Sequence, residues 1–152
     1  MLGTHFDAGN AASEDAVENS SSRPDFLILC YPVISMTAPY MHKGSRDNLI
    51  GKDADDELAK SVSSELQVSS DTPPTFIFQT SADKTVPAEN AVSFYLALLK
   101  AKVPAEMHIY QNGAHGSGLA NTIPGTSDWP ERCRQWLGVR GLIAAEAAQP
   151  TN

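Results

Sequence analysis

Apolar runs and helix-like repeats alternate along most of this chain. Phe26-Leu27-Ile28-Leu29-Cys30 lies between Asp25 and Tyr31 and is stopped by Pro32; an apolar run of this kind predicts a strand buried on both faces of a parallel sheet. A second run, Thr75 to Thr80, is entered through Pro73-Pro74 and left through the polar turn Ser81-Ala82-Asp83-Lys84. A third, Ala105 to Tyr110, ends at Gln111-Asn112-Gly113. Between the last two, Pro87 to Ala101 places Ala91, Val92, Tyr95, Leu96, Leu98 and Leu99 at the i, i+3, i+4 spacing of an amphipathic helix, with proline near its first turn. A final helix is expected to hold Trp129, Cys133, Trp136 and Leu137, capped by Ser127 or Asp128.

The remaining segments are polar. Leu2 to Phe6 is followed by an Ala-, Ser-, Asn- and acid-rich stretch with the composition of a surface loop. Val33 to Lys52 reads as irregular, broken by Pro39, Gly44 and Gly51, and Asp53 to Leu66 as one short polar helix. Strand and helix in alternation specify right-handed parallel crossovers, so the class is α/β: a three-layer sandwich of three parallel strands with flanking helices. Such a sheet is narrow. The first strand has no partner upstream, and a bare edge of this kind invites pairing, so self-association through it is expected. Residues 1–138 form the expected folded unit and 139–152 a flexible tail.

Charge and composition narrow the partners. The net charge of −7, from 18 acidic against 11 basic residues, opposes binding to nucleic acid or an anionic membrane surface. No apolar stretch is long enough to span a bilayer and no secretory leader pattern is present, which predicts a soluble chain and leaves its compartment open. Cys30 and Cys133 fit buried thiols better than a disulfide framework.

In open α/β sheets the reacting groups sit on loops past the carboxyl ends of the strands. Asp83 follows the second strand and His115, in Asn112-Gly113-Ala114-His115-Gly116, follows the third, so both fall on one rim. A carboxylate on one nitrogen of an imidazole fixes its tautomer and frees the other nitrogen to move a proton, the acid and base of a hydrolase triad. Each residue alone has a plainer explanation. Aspartate after a strand is often a turn former, and a histidine among glycines a loop residue; their pairing in this order favours chemistry.

Other candidates read as structural. Cys30 lies inside a strand run rather than on a turn, which disfavours it as a nucleophile. Asp53-Ala54-Asp55-Asp56-Glu57 lacks the glycine and closing glutamate of a calcium loop and fits a solvated helix start. His42 and His108 have no metal-ligand spacing, Ser117 carries only a weak signal for the pocket mouth, and Trp129 and Trp136 fit the core face of the last helix. Neither a metal nor an organic cofactor is expected.

The segments Ser81 to Asn90, Val103 to Tyr110 and Gly113-Ala114-His115-Gly116 resemble the closing half of the α/β-hydrolase superfamily. The branch is that of acetylxylan and feruloyl esterase-like lipases, near the dienelactone-hydrolase and prolyl-oligopeptidase groups. Ser35-Met36 and His42 to Gly51 resemble the same branch after its sixth strand, and the likeness covers about Leu2 to Leu137. It implies Asp83 as triad acid and His115 as triad base, and a small-molecule or carbohydrate ester, acetyl or feruloyl, as substrate. The family's nucleophilic serine stands in a Gly-x-Ser-x-Gly elbow upstream of the acid. This sequence contains none: Gly125-Thr126-Ser127-Asp128-Trp129 lacks the second glycine and follows His115. Leu2 to Asp7 resembles the end of the helix that begins at the elbow, so the chain is expected to be the C-terminal part of such a hydrolase, inactive by itself for want of a nucleophile. The rival expectations are a non-catalytic module on the same fold and a peptidase of the prolyl-oligopeptidase type.

Overall fold

A computed structural model describes residues 1–144. Three strands, β1 (Leu27–Cys30), β2 (Thr75–Thr80) and β3 (Ala105–Tyr110), form a parallel sheet in the order β1-β2-β3. β2 is central, and all six of its residues are buried. Its side chains alternate between two apolar layers, as strand geometry requires. Ile77 packs with Ile34, Ala91, Phe94, Leu98 and Val103 on one side, whereas Phe76 and Phe78 meet Ala120, Trp129, Cys133 and Trp136 on the other.

Five α-helices accompany the sheet among the described residues: α1 (Ala16–Asn19), α2 (Lys43–Ile50), α3 (Asp56–Ser61), α4 (Glu89–Lys100) and α5 (Trp129–Val139). α4 supplies the first apolar layer through Ala91, Phe94 and Leu98, and α5 the second through Trp129, Cys133 and Trp136. The expected three-layer arrangement is therefore present, with β2 and β3 at the anticipated positions.

Several boundaries differ from the sequence reading. β1 is four residues long and only partly buried, with Ile28 39% exposed, because it is an edge strand rather than one enclosed on both faces. The stretch read as irregular contains α2, whose N-cap is His42: its Nδ1 accepts from the Ser45 amide at 3.2 Å. The polar helix expected over Asp53 to Leu66 is split into α3 and a 3-10 turn, Ser64–Leu66. Asp55 caps α3 by accepting from the Leu58 amide, so the acidic run does mark a helix start. α1 lies in the segment read as loop, with no buried residue. Asp128 stands at the N-cap of α5 but its side chain makes no capping bond; the helix opens with Pro130 in its first turn instead.

α5 continues one residue beyond Gly138, and Gly141 then turns with φ +68° while the Leu142 amide reaches back to the Leu137 carbonyl at 3.0 Å. The expected tail 139–152 otherwise falls largely outside the described residues. Both cysteines are free thiols, Cys133 buried in α5 and Cys30 half-buried in β1. Burial pushes both thiols up from their ordinary values, which disfavours the thiolate form. Among the described residues no helix is long and apolar enough to cross a membrane.

Candidate active site

The rim at the carboxyl ends of the strands brings the two singled-out residues into contact. Asp83 Oδ2 and His115 Nδ1 are 2.8 Å apart, across 32 residues of sequence. The Asp83 side chain is 1% exposed and that of His115 33%, so the carboxylate forms the floor and the imidazole the accessible part of the pair. The second oxygen of Asp83 is also engaged: Oδ1 accepts from the amides of Thr85 and Val86, each at 2.9 Å. Turn former and histidine partner are thus the same residue, one oxygen for each task. The carboxylate accepts at both oxygens, so the Nδ1 position carries the shared hydrogen, and Nε2 has no hydrogen-bond partner among the described residues.

Polar residues at the end of β2 fix the acid's loop. Gln79 is fully buried, donates from Nε2 to the Val86 carbonyl at 3.1 Å and accepts at Oε1 from the Thr80 amide at 3.0 Å. The histidine's loop is held at three carbonyls. Thr126 donates to Asn112 at 2.7 Å, Thr80 to Gly113 at 2.7 Å, and the Trp129 indole to Gly118 at 3.1 Å. Gly113 has to be glycine here. Its φ is +133°, and a Cβ would stand 2.9 Å from the Thr80 methyl. Trp129 also stacks on Phe78 with centroids 4.5 Å apart, so the expected core tryptophan has a polar task as well.

The third strand end joins them. Tyr31, just past β1, has φ +42° and sets its ring edge-to-face against His115 at 5.0 Å and Phe78 at 6.0 Å. Behind the rim, Asn90 at the start of α4 makes four bonds: Oδ1 accepts from the amides of Ile34 and Ser35, and Nδ2 donates to the carbonyls of Tyr40 and Pro87. It ties the loop after β1 to the helix that follows Asp83. Tyr31, Gln79, Thr80 and Asn90 carry no sequence signal of their own beyond polar or aromatic character inside an apolar neighbourhood.

The remaining candidates lie elsewhere. His108 pairs with Glu106 at 2.8 Å and packs its ring on Phe76, a structural role like that of His42. Ser117 directs a buried hydroxyl that lacks a hydrogen-bond partner, enclosed rather than open to a substrate. Thr126, in the half-match to an elbow, is buried and holds the histidine loop. Among the described residues no group of three or more His, Cys, Asp and Glu is placed to hold a metal ion.

Residues 6–98 match the family model described as BD-FAE. The acetyl ester-xyloside bifunctional hydrolase of Caldicellulosiruptor lactoaceticus superposes with a TM-score of 0.90 at 45% identity, over 94% of this chain and 52% of that one. Endo-1,4-beta-xylanase B of Butyrivibrio fibrisolvens is 40% identical over 120 residues, 79% of this chain and 19% of that protein. Acetylxylan esterase of Xylanibacter ruminicola is 39% identical over 101 residues, 64% of this chain and 21% of that protein. The chain thus spans about a fifth of these curated relatives and about half of the solved structure.

Proposed function

Because this chain belongs to the BD-FAE family, we propose that Asp83 and His115 are the acid and base of a serine carboxylic-ester hydrolase acting on acyl esters of plant polysaccharide. The observation that carries this is the 2.8 Å contact between Asp83 Oδ2 and His115 Nδ1 over a buried carboxylate. In the reaction, a serine hydroxyl attacks the ester carbonyl as His115 Nε2 takes its proton. The tetrahedral intermediate collapses and His115 returns that proton to the departing alcohol; a water then repeats the sequence on the acyl-serine. Asp83 holds the imidazole in the tautomer that leaves Nε2 able to accept, and stabilises the imidazolium once formed. The chemistry requires neither metal nor organic cofactor.

The names of the relatives support acetyl esters of xylan as the substrate class. None of the serines in these 152 residues stands in a Gly-x-Ser-x-Gly elbow. The chain by itself is therefore expected to leave a short-chain nitrophenyl ester unhydrolysed; turnover that His115→Ala abolishes would overturn that expectation. The acid–base assignment is tested by placing the full chain in the matching half of the C. lactoaceticus hydrolase and assaying nitrophenyl acetate and acetylated xylan. The expected chimera is an esterase whose kcat falls by on the order of 10⁴ to 10⁶ with His115→Ala. A folded chimera without turnover, or one indifferent to that change, would refute the assignment.

A further inference from the structure

Tyr31 occupies an uncommon backbone conformation for a residue with a large side chain, φ +42°, immediately after β1 and before Pro32. The ladder continues into it, since its amide donates to the Phe78 carbonyl at 2.7 Å. The strand therefore reaches Tyr31 in register with β2 and turns there. Such outliers persist where the surroundings over-determine them, and they cluster where a group has to be held in place. Here it places an aromatic ring against an imidazole. The Tyr31 and His115 centroids are 5.0 Å apart with planes at 67°, and the same tyrosine ring is backed by Phe78 at 6.0 Å and 73°. Phe78 is fully buried and stacked on Trp129, so the backing is rigid.

We propose that Tyr31 is a positioning residue for His115: its ring, locked by the left-handed turn and by Phe78, restrains the imidazole while Asp83 restrains its Nδ1 atom. One hydrogen bond leaves a ring free to rock about the bond axis, and an edge-to-face contact removes that freedom. The loop carrying His115 is pinned at the carbonyls of Asn112, Gly113 and Gly118, bonds that hold its backbone. Asp83 bonds the imidazole and Tyr31 packs against it. This proposal rests on the acid–base assignment of His115 given above.

The test uses the full chain labelled with ¹⁵N-histidine, which has four histidines to resolve. Long-range proton–nitrogen spectra report the His115 tautomer, and the exchange of its Nδ1 hydrogen with water reports how firmly the ring is held. Asp83→Asn tests the underlying pair: if it leaves the His115 tautomer and exchange unchanged, the acid–base assignment fails before Tyr31 is at issue. With that control behaving as expected, Tyr31→Gly and Tyr31→Asn, both tolerant of a left-handed backbone, remove the ring without straining the turn. Each is expected to speed Nδ1 exchange roughly two- to tenfold, the population change that an aromatic pair of ordinary strength corresponds to. His108 should keep its wild-type signals, which separates loss of positioning from loss of fold, and either variant suffices if the other does not fold. Tyr31→Phe should match the wild type within about twofold, since the ring is retained. Wild-type exchange in both the Gly and Asn variants would overturn the proposal, as would a Tyr31→Phe variant that behaves like them.

Discussion

The two oxygens of Asp83 answer to different parts of the rim, Oδ1 to the amides of Thr85 and Val86 and Oδ2 to His115. An amide in place of the carboxylate can keep one role and lose the other. In Asp83→Asn the side-chain oxygen can still accept from the loop amides, while the NH₂ group now faces Nδ1 and favours the tautomer with its hydrogen on Nε2. The expected outcome in the active chimera is a kcat lower by on the order of 10⁴, the loss produced by the same exchange in the serine-protease triad. Its melting temperature should move by only a few degrees, which a thermal scan alongside the kinetics checks. Tyr110 supplies a second test at this scale. Burial, and then the Asp128 carboxylate, push its hydroxyl up to about 12 from an ordinary 10.0. The folded chain holds this proton more tightly than the unfolded one, so the contribution to stability is complete below about pH 10 and is lost between 10 and 12. Phenolate absorbance should show a late-titrating tyrosine that Asp128→Ala brings to lower pH.

Among the elements, α4 is tied to the loop after β1 by the hydrogen bonds of Asn90. Asn90 satisfies two amides and two carbonyls in a fully buried setting, and no aliphatic residue replaces those bonds. Asn90→Ala should cost about 3 kcal/mol in a denaturant titration, because buried amides of Ile34 and Ser35 lose their acceptor. What could be anticipated at this scale follows from how each element meets solvent. β2, β3 and most of α4 were legible because apolar side chains and flanking Pro, Gly or Asn mark them. α2 and α1 bury no residue and so leave no periodic trace, and α2 is capped by His42, outside the usual Ser, Thr, Asp and Asn. Asp83 and His115 could be anticipated since position past a strand is itself a signal. Gln79 and Thr80 could not, because two polar residues closing an apolar run look like the start of the polar turn that follows. Only the packed sheet shows that Gln79 turns toward the α4 side and Thr80 toward the histidine loop. Tyr31 was hidden for a related reason: no local rule places a tyrosine before proline in a left-handed turn.

For the molecule as a whole, the sheet has open flanks. β1 is an edge strand with a half-exposed face, and an apolar groove of about 330 Å³ lies beside it, lined in part by Leu2, Leu27, Leu29, Val33 and Phe94. An uncovered edge next to apolar surface favours association between copies. Sedimentation velocity on the isolated chain is expected to show mass rising with concentration, and Ile28→Lys, which puts a charge on that exposed edge, to suppress it. A monomer at every concentration, melting cooperatively, would contradict this expectation.

The central place of β2 bears on how the contact between Asp83 and His115 can be lost. Gln79 and Thr80 belong to that strand, Asp83 leaves it within a few residues, and Phe78 backs Tyr31. The loops that bring Asp83 and His115 together are thereby anchored in the least accessible strand of the sheet. Fraying of α1 would leave the imidazole where it is, and heat would part Asp83 from His115 only in the same cooperative step that dissolves the interior.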